Sequence, residues 1–107
     1  MEKGFATTRE RIIEILESAE RPLSAEEIAA MLGGGLTARD IYEHLNHVAK
    51  SLSARTRGEK VLLMEPPVCR KCGYVFKDLD KPKKPSKCPR CKSEWISPPR
   101  FIISTSR

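Results

Sequence analysis

Three capped helical segments followed by strand candidates, and two Cys-x2-Cys knuckles fifteen residues apart, predict an α+β chain. The expected architecture is a three-helix winged helix-turn-helix with a four-cysteine zinc ribbon inserted at the wing. Charge divides the chain in the same place. Residues 1–65 hold nine Lys/Arg against eleven Asp/Glu, whereas residues 66–107 hold eleven against three, within a net charge of +6. The expected domains are therefore 1–65 with 98–107, whose second wing strand comes from the C-terminus, and a ribbon over 66–97.

The first helix opens at Thr7-Thr8-Arg9-Glu10, a capping box in which the Thr7 hydroxyl accepts from the Glu10 amide and Glu10 reaches back. Ile12, Ile13, Ile15, Leu16 and Ala19 follow at helical spacing, and Pro22 marks the break. Ser24-Ala25-Glu26-Glu27 repeats the box and opens a shorter helix through Ile28, Met31 and Leu32. Gly33-Gly34-Gly35 ends it, because each helical Gly costs about 1 kcal/mol relative to Ala. Thr37-Ala38-Arg39-Asp40 caps the longest helix, with Ile41, Leu45, Val48 and Leu52 on one face. Two helices joined by a Gly-containing turn, the second longer and more basic, form the helix-turn-helix pattern.

At about 100° per residue, the face opposite that apolar stripe carries Arg39, Glu43, Asn46, His47 and Lys50. Arg39, Asn46, His47 and Lys50 are candidate readers of base edges in a major groove, Asn being suited to adenine. Tyr42 and Ser53 flank the face within reach of phosphate, and Arg55 and Arg57 are further phosphate candidates. Glu43 would repel phosphate, and His44 lies nearer the core. Beyond the polar turn Arg55–Glu59, Lys60-Val61-Leu62-Leu63-Met64-Glu65 reads as a short strand.

The cysteines fall as Cys69-Arg70-Lys71-Cys72 and Cys88-Pro89-Arg90-Cys91. Two intervening residues let a tight turn aim both sulfurs of a knuckle at one ion, and two knuckles close a tetrahedron at about 2.3 Å per sulfur. Gly73 supplies a positive φ where such a turn needs one, and Pro89 stiffens the second. Four protein ligands leave no place for water or substrate, so Cys69, Cys72, Cys88 and Cys91 are expected to hold one structural Zn2+, with iron the alternative. Four thiolates around a divalent ion contribute −2, which brings the whole chain to about +4. Tyr74-Val75-Phe76 and Glu94-Trp95-Ile96 read as short strands whose aromatics cover the metal and pack on the helical half. Between the knuckles, residues 77–87 hold five lysines and two prolines, and Lys81, Lys83, Lys84 and Lys87 are candidate phosphate contacts. Pro66-Pro67 and Pro98-Pro99 bracket the ribbon. Arg100-Phe101-Ile102-Ile103-Ser104 is then a strand candidate, of which Phe101–Ile103 is expected to pair antiparallel with Val61–Met64.

Asp40-Ile41-Tyr42-Glu43-His44-Leu45, Cys69-Arg70-Lys71-Cys72-Gly73-Tyr74 and Cys88-Pro89-Arg90-Cys91-Lys92 carry a wider likeness. Over about residues 7–104, the chain resembles a small archaeal family of predicted transcriptional regulators, in which a winged helix-turn-helix is fused to a rubredoxin-like zinc ribbon. The resemblance implies zinc at the four cysteines and transcription-related DNA binding. The net negative helical half departs from an ordinary DNA reader.

The expected function is a zinc-containing, non-enzymatic regulator that binds double-stranded DNA. Its third helix would enter the major groove and its basic ribbon would lie on the backbone. The competing class is a protein-interaction module docking on transcription or translation machinery, because Glu10, Glu14, Glu17, Glu20, Glu26 and Glu27 give the first two helices a dense acidic charge. No nucleophile–base pair points to an enzyme. A hydrophobic fraction of 39% beside 32% charged residues argues against disorder. No run approaches the roughly 20 apolar residues of a membrane span, and Met1–Arg11 lacks the apolar stretch of a secretory signal. A cytoplasmic setting follows, where cysteines serve as metal ligands more often than as disulfides. A single Asn and no Gln amid abundant Lys and Glu fit a hyperthermophile. The sequence shows no dimer seam.

Overall fold

All three capping boxes form, and they set the three helices. The computed structural model describes residues 7–105, so residues 1–6 and 106–107, the outer ends of the expected 1–65 and 98–107 segments, lie outside the described residues. Thr7 caps α1 (Thr8–Ser18), Ser24 caps α2 (Ala25–Leu32) and Thr37 caps α3 (Ala38–Arg55), each with a reciprocal bond from the acidic residue three positions on. Gly33 closes α2 with φ 70 and donates its N–H to the Ala29 carbonyl at 2.9 Å.

The apolar faces bury as their spacing predicts. Ile12 and Leu16 of α1, Ile28 and Leu32 of α2, and Ile41 and Leu45 of α3 form one core with Leu23, Ala25 and Phe101. Val48 and Leu52 extend the buried stripe of α3. Met31 breaks the pattern: it is 61% exposed, on the outer side of α2.

Strands β2 (Lys60–Glu65) and β3 (Arg100–Thr105) pair antiparallel, with Leu62 opposite Ile103 and Met64 opposite Phe101. That is the expected pairing of Val61–Met64 with Phe101–Ile103, extended by one residue at each end of the first strand and by one residue before and two after the second. Thr56 ties α3 to β2: its hydroxyl donates to the Leu52 carbonyl at 2.8 Å and accepts from the Lys60 N–H at 3.0 Å. Lys60 then reaches Glu17 of α1 at 2.7 Å. A third strand was not expected. Leu23–Ser24 after Pro22 forms β1, which pairs antiparallel with β3 through Leu23–Phe101 and Ser24–Arg100. The sheet order is β1-β3-β2. Phe101, fully buried, thus lies beneath the helices with strands on both sides, and Tyr42 meets its ring edge-on at 6.3 Å.

Residues 66–99 leave and re-enter the sheet between β2 and β3. Their centre is Val68-Cys69, bridged to Val75 on one side and to Ile96 on the other. The expected strands Tyr74–Phe76 and Glu94–Ile96 shrink to these single bridges, and the Phe76 and Glu94 carbonyls accept from Leu79 and Ile96 within local turns instead of extending a ladder. The aromatics also depart from expectation. Tyr74 and Phe76 pack edge-to-face on each other at 5.0 Å, Trp95 is 63% exposed, and none of the three belongs to the helical core.

Candidate metal centre

The two knuckles are built alike. In the first, Cys69 N–H donates to the Tyr74 carbonyl at 2.8 Å and Gly73 N–H to the Cys69 carbonyl at 2.8 Å. In the second, Cys88 N–H donates to the Ser93 carbonyl and Lys92 N–H to the Cys88 carbonyl, both at 2.9 Å. The residue after each closing cysteine is left-handed: Gly73 has φ 83 and Lys92 φ 67. Sequence reasoning found the glycine; Lys92 carried no comparable signal.

These turns bring all four sulfurs within 4.8 Å of one another. Cys69 Sγ lies 3.6 Å from Cys91 Sγ, and Cys72 Sγ lies 3.6 Å from Cys88 Sγ. A tetrahedron with metal–sulfur bonds of about 2.3 Å has edges of about 3.8 Å, so the arrangement fits one ion. The first cysteine of each knuckle is buried, while Cys72 is exposed and Cys91 half-buried.

Backbone amides prepare the sulfurs for ionisation. Cys72 N–H points at Cys69 Sγ at 3.5 Å, and this contact heads the causes that hold the Cys69 thiol down to about 6, against the opposing effect of burial. Burial resists ionisation of Cys88, but the N–H groups of Cys91 (3.4 Å) and Arg90 (3.3 Å) outweigh it and lower its pKa. Cys72, though exposed, receives a lowering contact from the Tyr74 backbone, yet partial desolvation of its sulfur and the neighbouring sulfurs push it up to about 11. A shared cation relieves that crowding, because its positive charge favours every thiolate at once. The four cysteines are positioned to bind a metal ion with all protein positions filled, which is the pattern of a structural site.

The other sequence-selected residues fall on α3 with the turn after it and on the ribbon loop between the knuckles. Arg39, His47 and Lys50 are exposed along α3 beside Glu43, with Asn46 half-buried among them, and Arg55 and Arg57 are exposed at its C-terminal end. Lys81, Lys83, Lys84 and Lys87 are exposed along the ribbon loop. Tyr42 is the correction. Its ring turns inward onto Phe101, and its hydroxyl is closed off from solvent with no hydrogen-bond partner among the described residues, so it does not face a phosphate. Burial, helped by Glu26, raises its pKa to about 12. His44 is packed as expected, with Nδ1 buried. Among the described residues no helix is long and apolar enough to cross a membrane.

Known proteins share this arrangement. Residues 7–62 match the family described as PF0610-like, N-terminal, and residues 66–106 match the PF0610 rubredoxin-like zinc beta-ribbon domain. The solution NMR structure of protein PF0610 from Pyrococcus furiosus is 40% identical over 99% of this chain and 96% of that one, with a TM-score of 0.75. No curated protein matches the chain.

Proposed function

The chain belongs to the PF0610-like family, and from that premise we propose that it is a zinc-containing, non-enzymatic regulator binding double-stranded DNA through a winged helix-turn-helix. The observation that carries this reading is the free face of α3. The helix buries one stripe completely and leaves Arg39, His47 and Lys50 exposed along the other. At 1.5 Å per residue its 18 residues span about 27 Å, enough to lie along a major groove.

The topology supports it. Helix, short strand, two helices and an antiparallel strand pair follow the order of a winged helix, with residues 66–97 at the tip of the wing and the remainder as its body. The lysines of the 77–87 loop then extend the basic surface toward flanking phosphates and offset the net negative charge of residues 1–65. Zinc suits the closed four-sulfur set, and its role is to hold the ribbon. With no ligand position open, the ion has no part in catalysis. A cysteine set used as metal ligands suits a reducing cytoplasm, which is where this reading puts the protein.

Titrating a DNA duplex while recording backbone amide shifts tests this. Shifts concentrated in 37–57 and 77–92 are expected. Lys50→Ala should weaken binding and reduce the salt slope by about one. Shifts absent from both segments overturn the reading.

A second reading has its own observation. An apolar groove of about 720 Å³ runs between α1, β1 and α2, lined by Ile15, Ala19, Leu23 and Met31 and rimmed by Glu14, Glu20 and Arg21, the last of which is paired with Glu27. It suits a basic amphipathic segment of a partner protein. Stoichiometric recovery of such a partner, lost on Met31→Lys, with no salt-dependent DNA binding near roughly 50 mM salt, favours this reading.

A further inference from the structure

One face of the ribbon is used neither by the metal nor by the helical body. Strand alternation defines it. Cys69 and Ile96, bridged to each other, turn inward and are 0% and 3% exposed. Their neighbours occupy the other side. Val68 pairs with Val75, and Arg70 N–H donates to the Trp95 carbonyl at 2.8 Å, which sets Arg70 opposite Trp95 in the register. Trp95 is 63% exposed and Val75 42%. Val68 and Arg70 also line a shallow pocket of about 360 Å³ with Pro66, Ser97, Pro98, Arg100 and Glu65, so Arg70, opposite Trp95, borders a recess that holds two arginines and one carboxylate. Arg100 lies 3.6 Å from Glu65, and the Ser97 hydroxyl is engaged by Val68 N–H at 2.9 Å.

Trp95 and Val75 together leave an exposed apolar patch on this face, and its setting narrows what fits there. Residues 66–97 carry nine Lys/Arg against three Asp/Glu, and a divalent ion in four thiolates leaves the module basic. The ligand must therefore be anionic and must also offer a flat apolar unit to the indole. A nucleic-acid strand does both, with one phosphate and one planar base per residue. A duplex keeps its bases stacked inside and presents only edges, so the base must be unpaired.

We infer that the outer face of the ribbon is a binding site for an unpaired nucleic-acid base, Trp95 stacking on the base while Arg70 and Arg100 hold the adjoining phosphates. The site is separate from α3 and stands whether or not that helix reads a duplex.

Trp95 is the only tryptophan in the sequence, so its fluorescence reports this face alone. The zinc-loaded full chain is titrated with a short oligothymidylate, with a duplex of equal length and with a glutamate-rich peptide, near roughly 50 mM salt. Saturable quenching by the single strand is expected, with markedly less from the duplex and none from the peptide. By anisotropy of a labelled strand, Trp95→Ala should lose between about fivefold and a hundredfold in affinity. Arg70→Ala should lower both affinity and salt slope, with metal content unchanged in each variant. Four results would overturn the inference: absence of strand binding; binding without quenching; unchanged affinity in Trp95→Ala; or equal quenching by the duplex. Quenching by the peptide in place of the strand would overturn it too and reassign the face to an acidic protein. If strand binding fails while duplex shifts on α3 persist, this inference falls and the regulator reading survives.

Discussion

After the closing cysteine of each knuckle the backbone turns left-handed, at Gly73 in one and at Lys92 in the other. A side chain in that conformation costs roughly 1–2 kcal/mol, and glycine avoids the cost while losing some entropy on folding. Nothing lies within 4 Å of a Cβ built on Gly73, so a substitution there meets conformational strain alone. Lys92→Gly is expected to stabilise the metal-loaded protein by about 0.5–1 kcal/mol and Gly73→Ala to destabilise it by about 1 kcal/mol. Denaturant unfolding measures both, and effects of equal sign would contradict the shared-turn account. Tyr42 offers a second residue-scale test. Its shielded hydroxyl makes no hydrogen bond among the described residues, so Tyr42→Phe should leave stability unchanged or raise it by up to about 1 kcal/mol. Loss of duplex affinity in that variant would show that the hydroxyl turns outward on binding.

Each helix start was legible because a capping box is a local device, complete within four residues. Thr7, Ser24 and Thr37 needed nothing distant to act. The box on α2 is the most heavily tied. Glu27 accepts from Arg21 at 2.7 Å and from the Ser24 N–H at 2.9 Å, and these contacts, Arg21 first, lower its pKa from 4.5 to about 2. A carboxyl lowered in the folded state adds stability above its unfolded pKa and loses it as pH falls toward the folded value. The stability advantage of the native chain over Glu27→Gln should therefore be full above pH 4.5 and shrink toward pH 2, as chemical denaturation at stepped pH would show. A constant difference across that range would refute the assignment. Less legible was β1. Two residues after a proline carry no periodicity, and Leu23-Ser24 becomes a strand only because Phe101 and Arg100 arrive beside it from far along the chain. The ribbon strands erred the other way. Two triplets with aromatic residues promised ladders, but past one bridge each the Phe76 and Glu94 carbonyls turn to local partners, Leu79 and Ile96. The four cysteines were legible as a metal set because ligand spacing is itself geometry. Exposure of Trp95 was not, since hydrophobicity alone does not say which face of a short strand turns outward.

At the scale of the whole molecule, the metal sits inside a loop of the helical body. Residues 66–99 connect β2 to β3, and the ribbon fixes how far apart the ends of that loop lie. Without the ion the same segment becomes a flexible loop of roughly thirty residues, whose closure costs on the order of 3 kcal/mol. Chelation is expected to disorder residues 66–97 and also to lower the unfolding midpoint of the helices, and returning zinc should restore both. Amide protection in α1–α3 identical with and without metal would refute that coupling. The position of Phe101 carries a further consequence for biosynthesis. A ribosome makes all three helices before it makes the cysteines, and the cysteines before the ring on which those helices converge. The nascent helices thus have no finished centre until the segment beyond the cysteines arrives, so metal capture and closure of the core draw on the same late stretch of chain.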